Sequence, residues 1–257
     1  MKAVIIGAGY IGLEAAAVAS KLGLKVTLVE MAERILQRVA APETADYFRA
    51  LHSRHGVDIR EGVGLGGLTG RDGKVTGAEL TDGSTLAVDF VIAGVGIVPE
   101  IELAESAGIE IENGIRTDST GRTSAPCVWA AGDCASFPHR APELRLESVG
   151  NAIDQAECVA GNLLGAGKDY VPKPWFWSDQ YDVKLQIAGF NRGYSQVVQV
   201  PGARAGSVSN WYLRGGRMIA VDAINDPRAF MQAKRWLGNG EDVREEQIIG
   251  IAGAAAV

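Results

Sequence analysis

The chain has 257 residues, a length that fits two domains or one domain with a satellite. Apolar residues at 47%, charged residues at 22% and 33 glycines scattered in short turns exclude collagen, coiled coil and disorder. A net charge of -6 argues against a surface built to neutralise a nucleic-acid backbone, so no nucleic-acid partner is expected.

Charge is uneven along the chain. Eight basic residues against Asp222 and Asp226 between Lys184 and Leu237 give that stretch +6 and leave -12 for the rest. Cys127, Cys134 and Cys158 form no C-x-x-C pair and no metal-ligand cluster. Free thiols suit a reducing cytoplasm, the expected location. Lys2, the apolar run after it and Ala17-Val18-Ala19 mimic a signal peptide, but Gly7, Gly9 and Gly12 explain that run better. The apolar tail from Ile248 to Val257 is short of the roughly 20 residues a membrane span needs, so no membrane segment is expected.

In chain order, Ala3 to Ile6 reads as a strand stopped by glycine, Ile11 to Leu22 as an alanine-rich helix closed by Gly23, and Lys25 to Val29 as the next strand. Pro42 to His55 is a second helix, with proline near its start and Gly56 after its end. Val57 to Arg60 follows as a strand. Asp72-Gly73 and Asp82-Gly83 then punctuate an antiparallel meander that includes Val75 to Leu80. Asp89 to Ala93 is a buried strand ended by Gly94 and Gly96, where a ligand can come close. A short helix spans Glu100 to Ala107, a strand Val128 to Ala131, and a long helix Ser148 to Leu164. Past Gly165 the texture changes to prolines, the cluster Trp175-Phe176-Trp177, and strands at Leu185 to Ile187, Gln196 to Val200, Ser207 to Leu213 and Met218 to Val221. That is a separate α+β domain beginning near Tyr170.

Gly7-Ala8-Gly9-Tyr10-Ile11-Gly12 has the G-x-G-x-x-G spacing between a strand and a helix. The first glycine permits a tight turn, the second lets backbone approach a pyrophosphate, and the third lets helix pack on strand. Glu30 ends the next strand, where its carboxylate can accept both ribose hydroxyls of an adenosine and repel a 2′-phosphate, which favours NADH over NADPH. Glu14 falls on the first turn of the helix, where the helix dipole explains an acid as well as a cofactor contact does.

Thr123, six further residues and Ala130-Ala131-Gly132-Asp133 place an acid just beyond a strand, where it could bind the hydroxyls of a ribityl chain. With the first motif, this resembles the FAD-dependent pyridine-nucleotide oxidoreductases, in which the acid of the second motif binds FAD. Glu147-Ser148-Val149-Gly150-Asn151-Ala152-Ile153-Asp154-Gln155-Ala156 and Pro174-Trp175-Phe176-Trp177-Ser178-Asp179-Gln180-Tyr181 are similar to the ferredoxin reductases of oxygenase systems, of the putidaredoxin-reductase type. The resemblance runs to about Gly240.

It implies an α/β fold made of a Rossmann-like NAD(P)-binding domain over 1–116, a partial FAD-binding domain over 117–168 and a C-terminal α+β domain over 169–257. It further implies that Gly7, Gly9, Tyr10, Ile11, Gly12 and Glu30 hold NADH, that Glu14 lies near the nicotinamide, and that Gly94, Val95 and Gly96 line its path. Gly132 and Asp133 would hold FAD, and the helix opening at Glu147, Ser148 and Val149 would point at the flavin ring. The implied activity is hydride transfer from NADH to FAD, then single-electron transfer to an iron-sulfur ferredoxin, with no side-chain nucleophile or general base. The family's N-terminal FAD-binding β-α-β unit, with its own glycine motif and a flavin-side lysine, has no counterpart here. A truncated product, an engineered piece and half of a split enzyme stay open, with the absent half or a homodimer as further partners.

Trp175 and Trp177 suit a core, yet their place beside prolines leaves exposure near the flavin open, with Trp177 the better candidate. His52 and His55, three apart on a helix, are expected on a solvated surface, and no metal is assigned. His139 is expected to be structural. The C-terminal domain has no histidine, which argues against a disulfide reductase that draws an acid-base pair from that domain. Alternatives are a nucleotide-binding module without flavin or turnover, and an NADH oxidase or monodehydroascorbate-type reductase. The basic stretch from Lys184 to Leu237 reads as a solvated face, the usual fate of scattered charge, or, more sharply, as a surface part of which steers an acidic ferredoxin.

Overall fold

The computed structural model describes residues 1–139 and 143–254, with side chains described as far as Gly250. The last three residues of the apolar tail therefore lie outside the described residues. Contacts divide the chain into two compact units, residues 1–96 with 177–257, and residues 97–176.

The first unit opens with β1 (Lys2–Ile6), α1 (Tyr10–Lys21), β2 (Lys25–Glu30), α2 (Pro42–Arg54), β3 (Asp58–Glu61), β4 (Leu65–Arg71), β5 (Lys74–Leu80), β6 (Thr85–Ala87) and β7 (Phe90–Ala93). Parallel pairing orders four of these as β3-β2-β1-β7, and β4, β5 and β6 form the antiparallel meander marked by the Asp-Gly turns. Past Lys2 every residue of β1 is buried, as a central parallel strand covered on both faces requires. Chain order runs outward from β1 to β2 and β3, then returns to the other side at β7. The carboxyl ends of β1 and β7 are thus the point where strand order reverses, which is where open α/β sheets bind ligands.

The second unit contains α3 (Glu102–Ser106), β8 (Ile115–Arg116), a short 3-10 turn at Gly132–Cys134, β9 (Ala135–Pro138), β10 (Glu143–Leu144) and α4 (Val149–Leu163), with sheet order β10-β9-β8. The expected strand at Val128 to Ala131 does not form. That run instead crosses residues 121–123 through the single bridge of Trp129 to Arg122, with Ala130 N–H on the Gly121 carbonyl. The strand is β9, so Asp133 precedes a strand instead of following one.

The chain returns to the first unit through β11 (Trp175–Gln180), β12 (Val183–Gly189), β13 (Gln196–Pro201), β14 (Val208–Arg214), β15 (Arg217–Ile224), α5 (Pro227–Asn239) and α6 (Glu245–Ala254). The five strands order as β11-β12-β15-β14-β13. The fold is mixed α/β, with a Rossmann-like parallel sheet and a C-terminal antiparallel sheet. Both of the expected boundaries, after residues 116 and 168, fall within the second unit. The C-terminal sheet groups with the N-terminal residues because Val183, Leu185 and Ile224 share one buried cluster with Ile5, Leu13, Leu28 and Phe48. Among the described residues no helix is long and apolar enough to cross a membrane.

Candidate nucleotide and flavin sites

The three glycines of the first motif meet three different surroundings. Gly7 sits at φ +94°, and a Cβ there would lie 2.4 Å from the Gly94 carbonyl oxygen at the end of β7. A Cβ on Gly12 would lie 1.9 Å from the Gly7 carbonyl oxygen, so α1 approaches β1 as closely as backbone allows. At Gly9 a Cβ would meet nothing within 4 Å. Two glycines are therefore required by the fold itself, while nothing in the fold requires the middle one. Gly7 N–H to Val29 O and Gly94 N–H to Ile6 O, both 2.8 Å, carry the sheet's hydrogen bonding into the loop. Gly9 caps α1, whose first turn carries no acidic side chain, so its positive end is available to a phosphate. Ile11 and Val95 expose apolar surface beside this loop, and Gly96 at φ +107° leaves open space after β7.

Glu30, the last residue of β2, turns its carboxylate toward the same loop. Oε2 accepts the Ala8 N–H at 2.7 Å and Oε1 accepts the Ala32 N–H at 2.8 Å. Each oxygen keeps a further lone pair for a sugar hydroxyl.

Glu14 corrects the sequence expectation. Because α1 begins at Tyr10, Glu14 lies beyond its first turn and the dipole no longer accounts for it. Its Oε1 accepts the hydroxyl of Ser178 on β11 at 2.6 Å. His52 is corrected too. It is fully buried, with Nε2 2.8 Å from Gln180 Oε1, and burial lowers its pKa. His55 stacks on Tyr181 at a centroid distance of 3.7 Å. Among the described residues no group of three His, Cys, Asp or Glu is arranged to hold a metal.

Asp222 on β15 is fully buried and was not singled out from sequence. It accepts hydroxyl hydrogen bonds from Tyr212 and, at 2.7 Å, from Thr44 on α2. Burial pushes its carboxyl up to about 6, and the same burial, followed by the Asp222 charge, raises the Tyr10 phenol well above its usual value. Because the folded state holds the Asp222 proton more tightly than the unfolded chain, its contribution to stability is lost as pH rises from about 4 to about 6. Asp222→Asn is accordingly expected to gain about 3 kcal/mol relative to the parent between pH 4 and pH 7. Urea unfolding of both proteins across that range checks this, and a difference that stays flat with pH contradicts it.

In the second unit Gly132 stands at φ +80°, and its N–H donates to Gln155 Oε1 at 2.8 Å. Exposed Asp133 accepts the Ser148 N–H through Oδ1 at 3.2 Å, and its carbonyl accepts Arg145 Nη1 at 3.0 Å. Arg145 also pairs with Glu147 at 2.6 Å. Ser148 caps α4 by accepting the Asn151 N–H, and Val149 is 62% exposed at the helix start. These residues put a carboxylate at the N-terminus of a helix, a fit for one end of a flavin's polyol chain. Ser136 Oγ and Arg145 Nε are buried without a hydrogen-bond partner among the described residues, so polar capacity is left around Asp133. Asn151 and Gln155 brace this turn, a role their place in the 147–156 motif did not reveal, although their spacing of four places them on one helix face. Trp175 lies against Gly150, where a Cβ would be 2.9 Å from its indole nitrogen, and Trp177 is 39% exposed on β11.

Residues 1–156 match the pyridine nucleotide-disulphide oxidoreductase family, and residues 175–252 match the reductase C-terminal family. A ferredoxin–NAD(P)+ reductase from Sphingomonas is 46% identical over 91% of this chain and 58% of its own length. A ferredoxin reductase structure from Rhodopseudomonas palustris matches with a TM-score of 0.92 at 41% identity, over 96% of this chain and 61% of that one. The reductase in a covalent putidaredoxin reductase–putidaredoxin complex matches with a TM-score of 0.91 at 40% identity, over 96% and 60%. The chain thus spans about six-tenths of the length of these relatives. With the family matched over residues 1–156, the glycine loop, Glu30 and the Gly132–Asp133 turn included, the chain belongs to the pyridine nucleotide-disulphide oxidoreductase family.

Proposed function

We propose that this chain takes NADH at the end of β1 and, with FAD held in part by its second unit, serves as the reductase that feeds electrons to an iron-sulfur ferredoxin of an oxygenase system in the cytoplasm. One observation carries the reading: Gly7 and Gly12 are locked by backbone, Gly9 is open, and the Glu30 carboxylate faces the same loop. The amides of Gly9, Tyr10, Ile11 and Gly12 would orient the diphosphate, and Glu30 the adenosine ribose. Gly94, Val95 and Gly96 would line the path of the nicotinamide, with Glu14 beside it.

Gly132 and Asp133 would take the ribityl hydroxyls of FAD, and the start of α4 at Glu147, Ser148 and Val149 would turn its positive end to the ring. A bound flavin supplies the conversion of a hydride's electron pair into single electrons. Trp177 would offer an exposed aromatic face to a bound cofactor. In this reading the functional parts are the nucleotide domain 1–116, the flavin segment 117–168 and the C-terminal domain 169–257. Support comes from relatives named as ferredoxin reductases, one of them solved in complex with putidaredoxin.

Purified chain is mixed with FAD, freed of excess and titrated with NADH without oxygen. Bleaching of the flavin absorbance, followed by reduction of an added ferredoxin that slows as salt rises, is the expected result. Nucleotide binding with no flavin uptake would instead make the chain a binding module. Faster electron delivery to oxygen than to ferredoxin would make it an oxidase.

A further inference from the structure

Glu14, Ser178, Gln180, His52 and Tyr181 form one continuous chain of hydrogen bonds. Ser178 Oγ lies 2.6 Å from Glu14 Oε1, Gln180 Nε2 lies 3.0 Å from Ser178 Oγ, and His52 Nε2 lies 2.8 Å from Gln180 Oε1. Tyr181 OH lies 3.4 Å from His52 Nδ1. Ser178, Gln180 and His52 are all fully buried, so each polar atom depends on its neighbour in the chain.

The direction of these bonds follows from one end. A carboxylate only accepts, so the single hydroxyl proton of Ser178 goes to Glu14. The Ser178 oxygen must then accept from the Gln180 amide N–H, which turns the Gln180 carbonyl toward His52. His52 therefore carries its proton on Nε2 and offers a lone pair at Nδ1 to the Tyr181 hydroxyl. Burial, which lowers the His52 pKa, keeps the ring in the neutral form that this arrangement needs. The chain joins the helix that carries the glycine motif to the C-terminal sheet and to α2.

We propose that Ser178, Gln180 and His52 are positioning residues that pin the Glu14 carboxylate in one orientation beside the nicotinamide, where its negative charge favours the cationic oxidised ring over the neutral reduced one. This rests on the function proposed above and deepens it. A fixed anion near the ring stabilises the product of hydride donation, so the enzyme pulls NADH toward release of hydride. An unpinned Glu14 is free to rotate toward solvent, where the same charge acts through water and counts for far less.

Two measurements test this. Nitrogen-15 NMR of the histidine-labelled chain is expected to show His52 as the neutral ring protonated on Nε2. The Nδ1-protonated form would overturn the proposed direction of the chain. Calorimetric Kd values are then compared for the parent, Ser178→Ala, Glu14→Gln and the double variant. Ser178→Ala and Glu14→Gln are each expected to weaken NAD+ by about tenfold with NADH changed much less, and the double variant to add little to either. Equal loss for both nucleotides, or additive losses in the double variant, would overturn it. Glu14→Gln keeps an acceptor for Ser178 and so reads the charge effect even where Ser178→Ala fails to fold. A parent chain that binds neither nucleotide would sink the proposed function itself. Binding of both with an unmoved ratio would sink only the positioning role.

Discussion

Gly12→Ala is expected to unfold or severely weaken the nucleotide unit, whereas Gly9→Ala folds normally and loses NADH. The contrast follows from what each new methyl group meets. At Gly12 it would lie 1.9 Å from the Gly7 carbonyl oxygen, with the Gly7 carbonyl carbon at 3.0 Å, so α1 must move off β1 and drag the buried face of Leu13, Ala16 and Ala17 with it. Overpacking of this kind costs about 3 kcal/mol, and more where both partners are backbone. At Gly9 the methyl group enters open space in the free protein at an ordinary φ of -74°. Stability should change by less than about 0.5 kcal/mol, while NADH affinity falls at least about tenfold because the diphosphate can no longer approach the backbone. Thermal unfolding and nucleotide titration of the two variants check this. A Gly9→Ala variant that binds NADH as the parent does would show that no ligand uses the open space.

Glu30→Gln is expected to erase the preference for NADH over NADPH. The carboxylate holds the Ala8 and Ala32 amides with its two oxygens and still has lone pairs for ribose hydroxyls. Glutamine keeps the shape, loses the charge and replaces one acceptor by a donor. Charge-assisted hydrogen bonds are worth about 1.5 to 3 kcal/mol, so NADH should weaken by about tenfold or more. NADPH should improve because its 2′-phosphate no longer faces an anion. The ratio of the two Kd values is the measurement, and a ratio equal to the parent's would assign the ribose to other residues.

Features set by neighbours in the chain could be read from the sequence. The strand, glycine loop, helix and Glu30 lie within thirty residues of one another, and their spacing alone places them. The Asp72-Gly73 turn likewise announces itself, and both residues adopt positive φ. What escaped was set by partners far along the chain. His52 shares the inner face of α2 with Thr44, Ala45, Phe48 and Leu51, yet the residues that satisfy its polar face and that of Thr44 are Gln180 and Asp222, more than a hundred positions away. Ser178 and Gln180 alternate on one side of β11, a period that could have flagged them once the strand was recognised. Helix α5 went unread, although Ala229, Phe230, Ala233 and Trp236 stand at helical spacing and are buried. The apolar run at Val128 to Ala131 misled because an apolar segment with one bridge partner looks, in sequence, like a strand with a ladder.

The most direct test of the account is calorimetry of NADH and NADPH with the unmodified chain. The account predicts one NADH site per chain, with NADPH binding at least about tenfold more weakly because Glu30 faces its extra phosphate. Absence of binding heat for both nucleotides across several temperatures, or tighter binding of NADPH, would contradict it.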